Sequence, residues 1–232
     1  MKRTFILSLS IVALFAALTA CESAGADNGD TGGAGNGDTE ENTGGQVVDG
    51  ALIVGGRLSE IDFPEEYVVP DAPTFALRID KPTSTDPNDD NVSVLDSDGG
   101  DDFRMTYSET PPDLQNIVDW LEEPGLTVSN TNAQATDAVV LLVESDGTQV
   151  NLNYLAIDST DGTMYYQGYV YVSEATSITG TITADDGLEE TYDVSLVAGW
   201  NVFIATENDS SNTSTIGATV PDGLEGAWFA EL

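Results

Sequence analysis

Two short acidic runs hold the side chains best suited to binding a cation. Asp86-Pro87-Asn88-Asp89-Asp90-Asn91 and Asp96-Ser97-Asp98-Gly99-Gly100-Asp101-Asp102 place oxygen donors at alternate positions, a pattern that suits calcium. Asp86, Asn88 and Asp90 in the first run, and Asp96, Asp98 and Asp101 in the second, are candidate ligands of a structural calcium. Neither run is an EF-hand. The sixth position, where that loop needs glycine, is Asn91 in one frame and Asp101 in the other. The twelfth, where it needs glutamate, is Ser97 or Tyr107. Solvated acidic loops are the plainer expectation.

The run Met164-Tyr165-Tyr166-Gln167-Gly168-Tyr169-Val170-Tyr171-Val172 alternates as a strand. Tyr165, Tyr169 and Tyr171 then share one face with Gln167, while Tyr166, Val170 and Val172 share the other. The second set reads as core. The first set, if exposed, is a strip on which a sugar ring would stack, because tyrosine offers an apolar face and a polar tip. A central strand of a sandwich is covered on both faces, and that is the expectation here.

The chain has no histidine. This excludes Ser-His and Cys-His nucleophiles, imidazole proton transfer and histidine-ligated zinc. Lys81, the one lysine after residue 2, lies in a loop before Pro82. A glycosidase needs two carboxylates about 5 to 9.5 Å apart. Among 41 acidic residues, chance alone supplies such a pair. A carboxylate-based hydrolase of envelope or extracellular polysaccharide is therefore the alternative, and a non-catalytic protein is the expectation, with no cofactor beyond the candidate calcium.

These residues must be positioned mostly by strands. Apolar or alternating runs occur at 51–58, 74–79, 138–143, 150–157, 164–172, 177–183, 191–197, 200–206, 215–220 and 226–232. Gly, Asp and Asn clusters separate them at fairly regular spacing, which predicts an all-β fold, an antiparallel β-sandwich of Ig-like or jelly-roll-like form. Leu114, Ile117, Val118 and Leu121 fall on one helical face, between Pro111-Pro112 and Pro124-Gly125. The spacing predicts one short helix near 113–123. Residues 49–232, 184 in number, suit one domain with a sizeable core.

The N-terminus is a different kind of sequence. Lys2 and Arg3 precede an apolar run over 5–17, then small residues to Ala20 and the only cysteine, Cys21. The order of positive, apolar and small-residue parts is that of an export signal. Leu18-Thr19-Ala20-Cys21 resembles the lipobox of bacterial lipoproteins. The resemblance covers residues 1–21 and implies a signal peptide over 1–20, cleaved before Cys21, with a diacylglycerol on that thiol and an acylated new amino terminus. An ordinary secretory signal followed by a chance cysteine is the other reading. A single cysteine forms no internal disulfide, so the exported fold must stand without one. Two or more acyl chains make a firm anchor. By analogy with the sorting rule of that family, Glu22 rather than Asp directs the protein outward, to the outer membrane or cell surface.

From Glu22 to about Val48 the composition falls almost wholly to Gly, Asp, Asn, Thr, Glu, Ala and Ser, with no aromatic residue and the first apolar cluster at Val47-Val48. This predicts a disordered acidic linker over 21–48, with a reach of roughly 30 Å for a Gly-rich coil of that length. Removal of Lys2 and Arg3 with the signal takes the bases from 6 to 4, against 41 acids. Nucleic-acid binding rests on Lys and Arg neutralising phosphates, so no nucleic-acid partner is expected. Anionic lipid would repel this body, which leaves the lipid anchor as the link to the membrane. Self-repulsion on this scale destabilises a compact state in dilute salt, which predicts a salt-rich habitat.

A further resemblance covers 177–206. The strand Ser177-Ile178-Thr179-Gly180-Thr181-Ile182-Thr183, the strand Tyr192-Asp193-Val194-Ser195-Leu196 and the triplet Gly199-Trp200-Asn201 are similar to a piece of secreted bacterial β-sandwich proteins. It implies that Trp200 packs in the core, and implies no activity. The expected function is a lipid-anchored cell-envelope protein that binds an envelope protein or glycan, or supports structure.

Overall fold

The computed structural model describes residues 44–65, 67–69, 74–79, 94–95, 102–112, 114–121, 123, 125–144, 147–184, 187–208 and 210–231. In chain order the strands are β1 (Gly44–Val48), β2 (Ala51–Arg57), β3 (Ile61–Asp62), β4 (Thr74–Ile79), β5 (Val94–Leu95), β6 (Asp102–Tyr107) and β7 (Gln115–Asn116). After the helix α1 (Ile117–Leu121) come β8 (Thr127–Val128), β9 (Gln134–Val143), β10 (Gln149–Asp158), β11 (Thr163–Val172), β12 (Thr176–Thr183) and β13 (Glu189–Leu196). The last three are β14 (Gly199–Asn208), β15 (Thr213–Ile216) and β16 (Ala227–Glu231).

They form two sheets. The small one has the order β1-β2-β6 and is antiparallel throughout. The large one follows β3-β16-β10-β9-β11-β14-β15-β13-β12-β8, with β4 and β7 also paired to β9, and β5 to β4. Its pairings are antiparallel except β13 with β15 and β16 with β3. The molecule is the expected all-β sandwich with one short helix.

Two apolar clusters hold it together, one on each side of β9 and β11. The first lies between the sheets. It joins Leu52 and Val54 of β2 and Phe103, Met105 and Tyr107 of β6 to Leu77, Val140, Leu142, Tyr169, Trp200 and Trp228 of the large sheet. The second joins Ala135 of β9 and Val170 and Val172 of β11 to Ile178 of β12, Val194 and Leu196 of β13, and the helix. Successive strand side chains point to opposite faces. Tyr169 therefore enters the first cluster and Val170 the second. The apolar run 138–143 has no polar alternation because β9 is a buried central strand.

The linker expected over 21–48 does not include Gly44–Val48, which is a strand in register with β2 from Gly44↔Gly55 to Val48↔Ala51. The cause is a two-residue hairpin turn. Asp49 and Gly50 both have positive φ, 50° and 82°, as a type I′ Asp-Gly turn requires. The start of β1 lies on the tyrosine face of β11. The Gly45 amide donates to Gln167 Oε1 at 2.8 Å, and a methyl group at Gly45 would overlap the Tyr169 ring. At Gly44 it would overlap Tyr154 and Gln167.

A similar fit sets the other end of this interface. Trp228 Nε1 donates to the Gly55 carbonyl at 3.0 Å, and side-chain space at Gly56 is filled by the same indole. Phe103 and Tyr154 meet that ring at centroid distances of 5.7 and 5.3 Å. Trp200, 2 % exposed, takes Tyr107 and Tyr171 edge-on at 5.8 and 5.6 Å. Its neighbours in Gly199-Trp200-Asn201 build the preceding turn. Gly199 has φ 103°. Asn201 accepts from the Val197 amide at 2.9 Å and donates to the carbonyls of Val197 and Gly199.

The helix forms where expected but presents a different face. Gln115 and Asn116 pair with β9, so the helix starts at Ile117, with Asn116 Oδ1 accepting from the Val118 amide at 3.0 Å. Five helical residues bury Ile117, Trp120 and Leu121, and Val118 is 46 % exposed. Of the expected face, Ile117 and Leu121 are buried, whereas Val118 is exposed and Leu114 precedes the helix, because strand pairing claims residues 115 and 116.

Gly45→Ala should lower stability in urea by about 1–3 kcal/mol, the usual cost of forcing an extra carbon into a packed site. An unchanged unfolding midpoint would mean that β1 does not bear on Tyr169.

Candidate functional site

Cys21 lies outside the described residues, and so do the calcium candidates Asp86, Asn88, Asp90, Asp96, Asp98 and Asp101. Among the described residues no three His, Cys, Asp or Glu side chains are grouped to hold a metal.

The tyrosines are described in full, and they do not form an open strip. Tyr169 is 4 % exposed and lies under Gly45, with its hydroxyl donating to Gln167 Oε1 at 3.2 Å. Burial and the neighbouring Tyr154 push its ionisation well above the ordinary value. Tyr171 is half-buried on Trp200, and its hydroxyl donates to Thr110 Oγ1 at 3.4 Å. Tyr165 is half-buried in register between Ala156 and Thr206. At Tyr169 the face is covered, as expected of a central strand, because a glycine strand fits against the ring where a ligand would have to lie.

The face of β13 holds the polar pair that the sequence reading passed over. Glu190, Tyr192, Val194 and Leu196 alternate on one side of the strand. Val194 and Leu196 are core, and Tyr192 packs against the same cluster. Glu190 is only 8 % exposed and accepts from the Tyr192 hydroxyl at 3.0 Å. Burial first, and the Glu190 charge second, hold the Tyr192 proton in place far above the ordinary phenol range, and Glu123 adds to this. Chemically the pair is a fixed donor facing a fixed acceptor. A Glu two residues before a Tyr on an otherwise apolar strand face was the available signal.

One end of the large sheet carries turns braced by side chains. Asn130 Nδ2 donates to Glu174 Oε2 at 2.9 Å, and the Asn130 amide to Thr176 Oγ1 at 3.2 Å. The Ser177 amide donates to Ser129 Oγ at 2.7 Å, and the Gln134 amide to Ser173 Oγ at 2.9 Å. Because Thr176 pairs with Leu196, the Val197 turn lies beside this set. Val197 is 65 % exposed on the turn that Asn201 holds. Loops held rigid on a scaffold favour binding, since little ordering remains to be done on contact.

Tyr107, Tyr154, Tyr169 and Tyr192 all have ionisation raised above 10.0, each chiefly by burial. The folded chain keeps protons that the unfolded chain releases above that pH. Their contribution is present below pH 10 and lost as pH rises further. The melting temperature should therefore fall above pH 10, and less steeply in Tyr192→Phe. Parallel profiles for the two proteins would show that Tyr192 does not titrate in this way.

Comparison of the chain with protein-family models, with curated proteins and with solved structures finds no match in any of the three.

Proposed function

We propose that the chain is a lipid-anchored protein of the bacterial cell envelope whose β-sandwich acts as a non-catalytic binding or structural module. The observation that carries this reading is Leu18-Thr19-Ala20-Cys21 at the end of the apolar run. Acylation of Cys21 converts the signal's end into an anchor, and the Gly- and Asp-rich residues up to 43 then serve as a tether. At roughly 25 Å of root-mean-square reach, this tether holds the body off the bilayer on the extracytoplasmic side, with the outer membrane or cell surface as its destination. The strongly acidic composition supports attachment by lipid rather than by charge.

Two structural observations support a module that works through its surface. The tyrosine face is closed at Tyr169 by β1, and the turns around Asn130, Glu174 and Val197 are braced by side-chain bonds. An envelope protein or a glycan would meet these turns rather than the sheet faces.

Mass spectrometry of the mature protein should find acyl chains on an amino-terminal Cys21. An unmodified terminus elsewhere removes the anchor and the reading with it. The habitat inference has its own measurement. Screening over about 3 Å at 1 M salt should raise the thermal midpoint between low and molar KCl, and a flat or falling midpoint would overturn it.

A further inference from the structure

Asn-X-Ser/Thr tripeptides occur at Asn91, Asn208 and Asn212. In an exported protein this motif, with X other than proline, is the acceptor for N-linked glycan. Asn91 lies outside the described residues. The other two flank one turn, between β14 and β15, and the fold separates them.

Asn208 is committed to structure. Its Nδ2 donates to Thr163 Oγ1 at 2.8 Å, and its Oδ1 accepts from the Ser211 amide at 3.0 Å and hydroxyl at 3.2 Å. A glycan on that nitrogen would disturb the bond that ties the turn to β11. Asn212 differs on each point. It is solvent-exposed, as is Thr213 beside it. Its backbone carbonyl, not its side chain, serves the fold, by accepting from the Glu189 amide at 3.1 Å. Its φ of 54° is one that Asn adopts more readily than most residues. The Ser214 hydroxyl stands two residues on, at the start of β15, as the motif requires.

We propose that Asn212 is an N-glycosylation site. The donor class is an oligosaccharide joined through phosphate to a polyprenyl lipid, and the catalyst class is an oligosaccharyltransferase. The Asn212 amide nitrogen attacks C1 of the first sugar, and the C1–O bond to phosphate breaks. The polyprenyl phosphate group leaves with the bonding electrons, and the amide gives up one proton to a base of the transferase. One C–N bond replaces one C–O bond, and nothing is oxidised or reduced. The product places a bulky, solubilising group at the end of the sheet that carries the β14–β15 turn. The inference rests on the export part of the proposed function and not on the identity of any ligand.

The test uses full-length protein purified from its own host and cut before aspartates. This separates Asn212, on peptide 209–221, from Asn208, on peptide 193–208. The 209–221 peptide should carry added hexose or N-acetylhexosamine mass, localised by fragmentation to Asn212. The added mass should vanish in Asn212→Gly, which keeps the turn's backbone conformation, and in Ser214→Ala, and it should persist in Ser214→Thr. A bare 209–221 peptide overturns the proposal, and so does sugar that survives Ser214→Ala or sits on a hydroxyl. The N-terminal peptide of the same digest keeps the two readings apart. Acylated Cys21 with a bare 209–221 peptide sinks this inference alone, whereas an unprocessed Met1 sinks the export reading.

Discussion

The burial of β9 and β11 on both faces is the constraint on which the remaining structure depends. A strand covered on one side needs one apolar layer, whereas these two need two, and every other element supplies part of one. The small sheet, β4, β10 and β16 complete the layer around Trp200 and Trp228. The helix with β12 and β13 completes the layer around Val170 and Val172. With one cysteine in the chain, no internal disulfide can share the task. The Arg57–Glu60 bridge, at 3.3 Å, joins two well-exposed side chains, and such pairs contribute about 0–1 kcal/mol. Apolar burial, roughly proportional to area, must hold together a body whose surface charges repel one another.

Close approach is achieved by placing glycine against rings. Gly45 meets Tyr169, Gly56 meets Trp228, Gly168 meets Phe203 and Gly226 meets Tyr154, each leaving no room for a methyl group. This explains why aromatic residues that looked suited to a ligand are structural. A flat ring binds a flat partner, and here the partner is the chain's own backbone. The surface left for contact is then the set of braced turns, whose rigidity comes from asparagine, serine and threonine side chains rather than from depth of burial.

Much of this fold was legible because strand alternation is a local signal. The run 74–79 matches β4 to the residue, and the runs from 138 to 206 end no more than four residues from the bounds of β9 through β14. Six strands were missed, four of them two-residue pairings (β3, β5, β7 and β8) and two of them longer. In β6, Phe103, Met105 and Tyr107 alternate cleanly with Arg104 and Thr106, but the acidic run before them masked the pattern. In β1, Gly44-Gly45-Gln46 reads as linker by composition, and only the Asp49-Gly50 turn signal argued otherwise. That β1 supplies the cover over Tyr169 was not legible, because it depends on a contact between residues 122 positions apart. Pairing at that distance leaves no periodic trace. The start of the helix was hidden for the same reason, since the pairing of Gln115 with Ala135 decides where it begins.

The bond from Trp228 to Gly55 joins residues 173 positions apart, and it closes the first apolar layer with an indole that is wholly buried. The layer's earliest strands therefore wait for its last one. Such long-range closure makes folding slow. Until that strand pairs, the earlier ones have no finished layer to join, and the chain's net charge keeps the open coils apart by repulsion.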